Sequence, residues 1–477
     1  MLTRRLSPTQ QLGLLGLLWS GAAWLGWRAF PLTRLYARPL LDLAKLAAGR
    51  PAVWFGSALA IGALALIYLA GWRVLQHAEV AVSWVVLLGA PLTVALCLFF
   101  TYPLTAADLF DYLALGHLAA FHGANPFTQA PAAFASDPFV AYAAWRYFPS
   151  AYGPLWEIAA AALARLAAGN LWRGILLMKA QALLSLALVA MLTAWLARRR
   201  QPRDPRAVQL ALFLLLWNPL LLLDIAGNAH HDLWMVLALL LAVALAERRR
   251  FDLALVALSA GALVKFVPLL LLPLFAATAA RRLGWRRAAV QLGLGTALSA
   301  LLAWLCYRPF WPLADPLRLA QRADLYTTSV LALIHSQLNA WTNVTTADAV
   351  SARLGLALLT GLVGLSAWRA GRAPQPLPIG AARLLTAILL LATAWFQTWY
   401  LAWVWPLAAL KPRARLVPVL LLFNSTAWFK YLLFDLTFGA HYPPLAPYWQ
   451  QNLAVSCLVI ALPLAFALTR RARAARE

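Results

Sequence analysis

Apolar runs of about twenty residues, most ended by clusters of arginine, recur from one end of this chain to the other. A helix rises 1.5 Å per residue, so about 20 such residues match a hydrocarbon core about 30 Å thick. Because that core offers no water to backbone N–H and C=O groups, a run that crosses it has to be helical. The runs lie at 12–30, 52–71, 80–100, 174–197, 208–223, 232–246, 288–306, 349–368, 416–434 and 450–469. Of the 477 residues 63% are hydrophobic and 12% charged, whereas soluble domains carry roughly 25% charge. No stretch remains for a large soluble domain. The expectation is one all-α domain over 1–477, a polytopic transmembrane helical bundle of about 11–14 membrane helices, some as short hairpins.

A net charge of +24 raises the question of a nucleic-acid partner, but its placement argues for lipid. The excess sits at the ends of apolar runs: Arg198 to Arg200, Arg248 to Arg250, Arg281-Arg282, Arg286-Arg287, Lys411 to Arg415 and Arg470 to Arg476. Cytoplasmic loops of membrane proteins carry this bias and rest against anionic headgroups. The partner implied is the lipid bilayer, with no nucleic acid. Cys97, Cys306 and Cys457 lie far apart in or beside apolar runs and read as small buried hydrophobes. Arg4 and Arg5 precede the first run without a small-x-small cleavage site behind it, so an uncleaved first helix is expected.

Two stretches carry arginine or lysine at both ends and must enter the bilayer and return. In 251–280, Lys265 sits near the middle beside Pro268. Each arm is about 15 residues, roughly 22 Å of helix, which puts Lys265 at an apex toward the outer face. In 381–410, between Arg383 and Lys411, the middle reads Trp395-Phe-Gln-Thr-Trp-Tyr400, an aromatic cluster suited to an interface or a sugar. From Arg198 onward, basic clusters inside place 224–231, 307–348 and 435–449 outside. Upstream the count is ambiguous. The loop 28–50 is basic yet lies outside if the N-terminus is inside, and 155–168 is short and holds Arg165.

Ionisable groups at membrane depth are costly and so are candidates for function. Asp108 and Asp111, at i and i+3 with Tyr112 beside them, share a helix face and are followed by Gly116, His117 and Gly123-Ala-Asn125-Pro-Phe127. They would suit a general base and a substrate or metal ligand, or an interfacial helix with solvated acids. Tyr152-Gly153-Pro154 opens an apolar stretch as a turn into a helix. The run Asp224-Ile-Ala-Gly-Asn228-Ala-His230-His231-Asp232 offers metal ligands, hydrogen bonds to a substrate, or a helix cap. Adjacent histidines do not easily face one ion together with Asp232, so no metal ligand is assigned. Lys265 needs either an anion, which a phosphate would supply, or a path for its ammonium to the interface.

Taken in this order, these elements resemble membrane glycosyltransferases of the GT-C type. The nearest likeness is to polyprenyl-phosphate-mannose-dependent alpha-1,6-mannosyltransferases and glycosyltransferase family 87. That group carries an Asp-x-x-x-Tyr segment, a glycine and a Gly-x-Asp-Pro-Tyr-like turn. Asp108, Tyr112, Gly116 and Gly123 to Phe127 stand at those places, with Asn125 where an acid is usual. Tyr152-Gly-Pro resembles the next landmark, and Trp217-Asn-Pro219 leading to Gly227-Asn-Ala-His230-His231-Asp232 resembles an Asn-Pro…Gly-x-His-Asn-Asp loop, with His231 in place of Asn. Leu263-Val-Lys265 resembles the lysine hairpin, and Trp399-Tyr400-Leu-Ala-Trp403 a Pro-Trp-Tyr-x-x-Trp element. The likeness covers most of 100–410.

The resemblance implies a bacterial plasma-membrane enzyme with an extracytoplasmic active site, built partly from the loop 101–152, with 307–348 as a second outer loop. For that, 155–168 cannot cross fully, and 28–50 has to lie as a basic amphipathic helix on the outer surface. It further implies transfer of a sugar, with mannose expected, from a polyprenyl-phosphate donor to a hydroxyl of an acceptor glycan or glycolipid, with inversion. Asp108 would be the base and Asp111 would orient the acceptor or remain a solvated acid. Tyr112, Asn125, Tyr152, His230, His231 and Asp232 would contact the substrates, and Lys265 would meet the leaving phosphate. Trp399, Tyr400 and Trp403 would offer flat apolar surface to the sugar and prenyl chain. Arg146, Arg308, Arg318 and Arg322 are further phosphate candidates. A divalent metal would be compatible but is not required. The rival class is a transporter or flippase of lipid-linked sugars, but no internal repeat of the kind many transporters show is evident.

Overall fold

The computed structural model describes residues 6–204, 206–311, 325–438 and 448–474. Among them no β-strand occurs, and bridges outside helices are confined to Pro31 with Thr101 and Thr327 with Trp395. Six helical spans are long and apolar enough to cross a membrane: Pro51–His77, Leu171–Arg200, Trp285–Phe310, Val344–Arg372, Val417–Phe438 and Trp449–Arg470. The chain is a multi-pass membrane protein with an all-α fold. Pro51–His77 and Trp285–Tyr307 turn mostly exposed apolar side chains outward, among them Leu59 and Val290, as lipid-facing helices do. Leu210 to Leu215, Leu239, Leu240, Trp405 and Phe423 fill the centre.

Several runs are broken, and polar residues sit at the breaks. Arg206–Leu216 and Pro219–Gly227 form one apolar unit bent by 54°. Pro219 has no N–H to continue the helix and holds Asn218 out of the helical region. The Asn218 side chain caps the new start by accepting from the N–H groups of Leu220 and Leu221. Its amide nitrogen donates to Asn424 Oδ1 at 2.8 Å, which also accepts from Trp405 Nε1. The Trp-Asn-Pro landmark is thus a buried hinge.

Both expected hairpins return to their starting end. Phe251–Ala262 and Leu272–Leu283 flank the turn that carries Lys265. Arg282 Nη1 donates to Ala246 O, bringing the far end back beside Arg250. Leu377–Leu391 leads through a non-helical break into the 3-10 turn Thr398–Trp403 and the short helix Trp405–Ala409. Arg281 donating to Ala370 O and Gln201 donating to Leu410 O tie both its ends to the same side. Arg200 with Glu247 and Arg413 with Asp204 pair there as well. The arginine-rich ends of several helices therefore gather at one end of the bundle, while Asp232, fifteen positions from Glu247 in a helix of 16 residues, marks the other.

The helix Pro154–Ala167 has 14 residues, about 21 Å, short of a full crossing. It lies against Asp108–Phe121, where a Cβ on Gly116 would fall 2.6 Å from Ala160 O. The loop 28–50 departs from expectation. Instead of one amphipathic helix it makes two short ones, Leu32–Leu35 and Leu43–Ala47. Pro31 and Asp42 start them afresh, Asp42 by accepting from Lys45 N. The loop is pinned along 100–104 by Leu32 N to Phe100 O, Tyr102 N to Phe30 O and Leu43 N to Leu104 O. It thus sits beside the Asp108 segment. Replacing Gly116 with valine should separate the two packed helices and cost about 1–3 kcal/mol. Thermal unfolding in detergent will show it, and an unchanged melting temperature would contradict the close approach.

Candidate active site

Each catalytic candidate sits at an interruption of helix. Asp232 opens Asp232–Glu247, Asp108 opens Asp108–Phe121, and Lys265 sits in the turn after Phe251–Ala262. Two helix N-termini, the one at Asp232 buried and the one at Asp108 partly exposed, therefore carry a carboxylate each, which suits their positive dipole ends.

At the centre Asp232, fully buried, accepts through Oδ1 from Lys265 Nζ at 2.7 Å and Trp403 Nε1 at 2.6 Å. The Lys265 ammonium also lies over three rings, 5.1 Å from the centre of Tyr400, 5.2 Å from Trp403 and 5.8 Å from Tyr152. Tyr400 and Trp403 stack on one another at 4.2 Å. Tyr152 reaches the other way, its hydroxyl donating to Asp108 Oδ1 at 3.2 Å. One tyrosine thus joins the Asp108 turn to the lysine hairpin.

The glycine after Tyr152 explains how that junction is held. Gly153 N donates to Val264 O and Leu155 N to Leu263 O, both at 3.0 Å, so the two turns dock backbone to backbone. A Cβ on Gly153 would lie 2.1 Å from Leu263 O, closer than any side chain permits.

The histidines line a second wall. His230 stacks on Trp399 with centroids 4.0 Å apart, and its Nδ1 meets the Tyr112 hydroxyl at 3.3 Å. His231 stacks on Trp156 at 4.1 Å and meets the rings of Tyr112 and Tyr152 edge-on. Because the two rings lie on different indoles, they do not converge with Asp232 on a single point. Among the described residues His230 Nε2, both nitrogens of His231 and Asp232 Oδ2 are buried without a hydrogen-bond partner. Buried polar atoms are rarely left so, and four in one cluster make this a candidate place for a polar ligand.

Two expected site residues are held by neighbouring loops. Asp111 is no solvated acid: it is buried, and its Oδ1 accepts from Trp145 N at 2.8 Å, shaping the loop that follows. Asn125 makes an Asx turn by accepting from Phe127 N and donates to Phe310 O at 2.7 Å, joining two loops. Arg146 and Arg308 lie over the neighbouring rings of Tyr147 and Trp304, while Arg318 and Arg322 fall outside the described residues. The sequence reading also passed over Lys179. It is fully buried and donates to the carbonyls of Thr101 at 2.9 Å, Leu98 at 3.1 Å and Ala226 at 3.4 Å, and to that of Gly227. It so anchors the strand of chain leading to His230. The rule that singled out Lys265, a lone cation in an apolar run, applies to it equally. Tyr431, which donates to Asp224 Oδ1 at 2.7 Å, carried no such signal.

The model of the family described as alpha-(1->6)-mannopyranosyltransferase, N-terminal domain, matches residues 10–281. The chain belongs to that family. No curated protein matches it. The matched region holds Asp108, Tyr152, the 230–232 run and Lys265, whereas Trp399, Tyr400 and Trp403 come from beyond it. The aromatic wall of the candidate site is therefore supplied by the C-terminal part of the chain, beyond the matched region. Replacing Gly153 with alanine should push Tyr152 off the lysine turn and lower the rate of mannosyl transfer about a hundredfold, with the protein still inserted in the membrane. Wild-type activity in that variant would contradict the docking.

Proposed function

We propose that the enzyme transfers mannose from a polyprenyl-phosphate donor to a hydroxyl of an acceptor glycan or glycolipid at the outer face of the membrane, with inversion. The observation that carries this reading is the Tyr152 junction, which puts Asp108 and Lys265 in one cluster away from the arginine-rich end. Positive loops face the cytoplasm in general, so the opposite end of the bundle faces outward. A prenyl donor stays dissolved in the bilayer, and a site reached between membrane helices meets its phosphate without extracting the lipid.

In the proposed reaction the acceptor oxygen attacks the anomeric carbon as its bond to the phosphate oxygen breaks. Asp108 takes the acceptor proton, and the electron pair leaves with polyprenyl phosphate. Lys265 balances the charge growing on that phosphate, where a fixed cation in a poorly solvated site is most effective. Asp232 already holds Lys265 through one oxygen, so its role is to aim the ammonium and accept from a sugar hydroxyl through Oδ2. The phosphate falls to Lys265 and the free histidine nitrogens. Trp399, Tyr400 and Trp403 offer their faces to the sugar ring and the first prenyl units. An α product made by inversion calls for a β-linked donor.

Purified enzyme supplied with polyprenyl-phosphate mannose should form product. Asp108→Asn should lower the rate by about 10³-fold while leaving the folded protein in the membrane, and full activity would remove the assigned base. Lys265→Ala should act chiefly through the donor, and an unchanged dependence on donor concentration would count against its contact with phosphate. A single cysteine at exposed position 48, in a chain otherwise free of cysteine, should be labelled by an impermeant reagent from outside the cell; labelling only from within would reverse the orientation.

A further inference from the structure

His117, His122 and Asp137 form a compact group remote from the candidate active site. His117 lies nine positions beyond Asp108 on the Asp108–Phe121 helix, about 14 Å along its axis, and His122 caps that helix at its C-terminus. Asp137 comes from the loop that folds back over it. His117 Nε2 is 3.1 Å and His122 Nε2 2.9 Å from the same atom, Asp137 Oδ2. One potential ligand atom from each residue lies within 4.8 Å of the others, the only such group of three among the described residues.

The three side chains are held in place by their surroundings. Asp137 is 4% exposed, and its other oxygen, Oδ1, accepts from Phe139 N at 2.9 Å, which leaves Oδ2 for the imidazoles. The His117 ring is stacked on Phe139 at 4.1 Å with 16° between planes, so its Nε2 cannot swing freely. His122, at 42% exposed, forms the solvent side. Fixed imidazoles supported by neighbouring groups are what a metal site requires.

We propose that these residues bind a zinc-class divalent ion through His117 Nε2, His122 Nε2 and Asp137 Oδ2, with water completing the tetrahedron on the His122 side. Zinc bonds of about 2.0–2.1 Å place adjacent ligand atoms about 3.3 Å apart, so the two imidazole–carboxylate contacts, at 3.1 and 2.9 Å, open by a few tenths of an ångström while the two imidazoles, within 4.8 Å of one another, draw together. Two neutral imidazoles and one carboxylate suit zinc, cobalt or nickel; magnesium and calcium prefer oxygen cages. The ion would clamp the loop 122–140 to the far end of the helix that begins at Asp108. Its role is structural, since no ligand touches Asp108, Tyr152 or Lys265.

The test uses the purified full chain, freed of any histidine tag and stripped with a chelator, then titrated with Co²⁺ and Zn²⁺. One ion per chain, a visible tetrahedral cobalt spectrum and a rise in melting temperature with zinc are expected. His122→Ala and Asp137→Asn should each weaken binding at least about tenfold and abolish the rise. Magnesium should do neither. Should the wild-type chain show no cobalt spectrum, or should His122→Ala bind as the wild type does, the group is a hydrogen-bonded cluster and the proposal fails. The wild-type stoichiometry decides this even if a variant fails to fold, and mannosyl transfer enters none of the readouts.

Discussion

The site depends on one ion pair. Asp232 is wholly buried at the start of a helix, and a carboxylate there is tolerable only with a cation in contact. Lys265 provides the cation and Trp403 a second donor, so the pair draws together the helix from 232, the lysine hairpin and the 3-10 turn of the aromatic segment. Breaking a buried pair leaves an uncompensated charge, so these three elements are not free to move independently. The remaining walls follow from that. Tyr152 and Tyr400 can offer their faces to the ammonium only because Asp232 holds it at one point.

Around this pair the fold uses its broken helices in a consistent way. A break frees backbone groups that the bilayer cannot hydrate, and at three of them polar side chains or a second backbone segment take up those groups. Asn218 caps the helix after the Pro219 bend, Lys179 gathers the carbonyls left by two interrupted segments, and Gly153 lets one turn satisfy the carbonyls of another. Polar residues inside the bundle thus divide into those that repair backbone and those left facing one another. His230, His231, Asp232 and Lys265, in the second group, are the candidate site.

Much of this was legible from residues alone. Apolar length and terminal arginines located the spans and both hairpins, because the cost of exposed backbone and buried charge acts on every stretch alike. Asp232 and Lys265 stood out by the same rule. Their contact did not, since 33 residues separate them and nothing local in the chain records it. Asp108 and Asp111 illustrate the limit more sharply. Spacing of three places them on one helix face, but the elements packed against that face decide their partners, and these differ: Tyr152 for one, the backbone of Trp145 for the other. For the loop 28–50 the resemblance implied one surface helix, while Pro31 and the cap at Asp42 cut it in two.

The three carboxylates near the site therefore differ in what remains open to each. Asp111 is committed to a backbone amide in a buried loop. Asp232 is in direct contact with an ammonium and accepts a second hydrogen bond from an indole N–H through the same oxygen. Asp108 is partly exposed and receives a long hydrogen bond from a tyrosine hydroxyl. A base must be reachable by the hydroxyl it deprotonates and must not already be satisfied by a fixed cation. Only Asp108 among the three meets both conditions, and Tyr152, which donates to it through the hydroxyl while its ring lies under the Lys265 ammonium, stands between the proton acceptor and the cation. That separation is what a displacement needs, with the proton removed on one side of the anomeric carbon and negative charge gathering on the other.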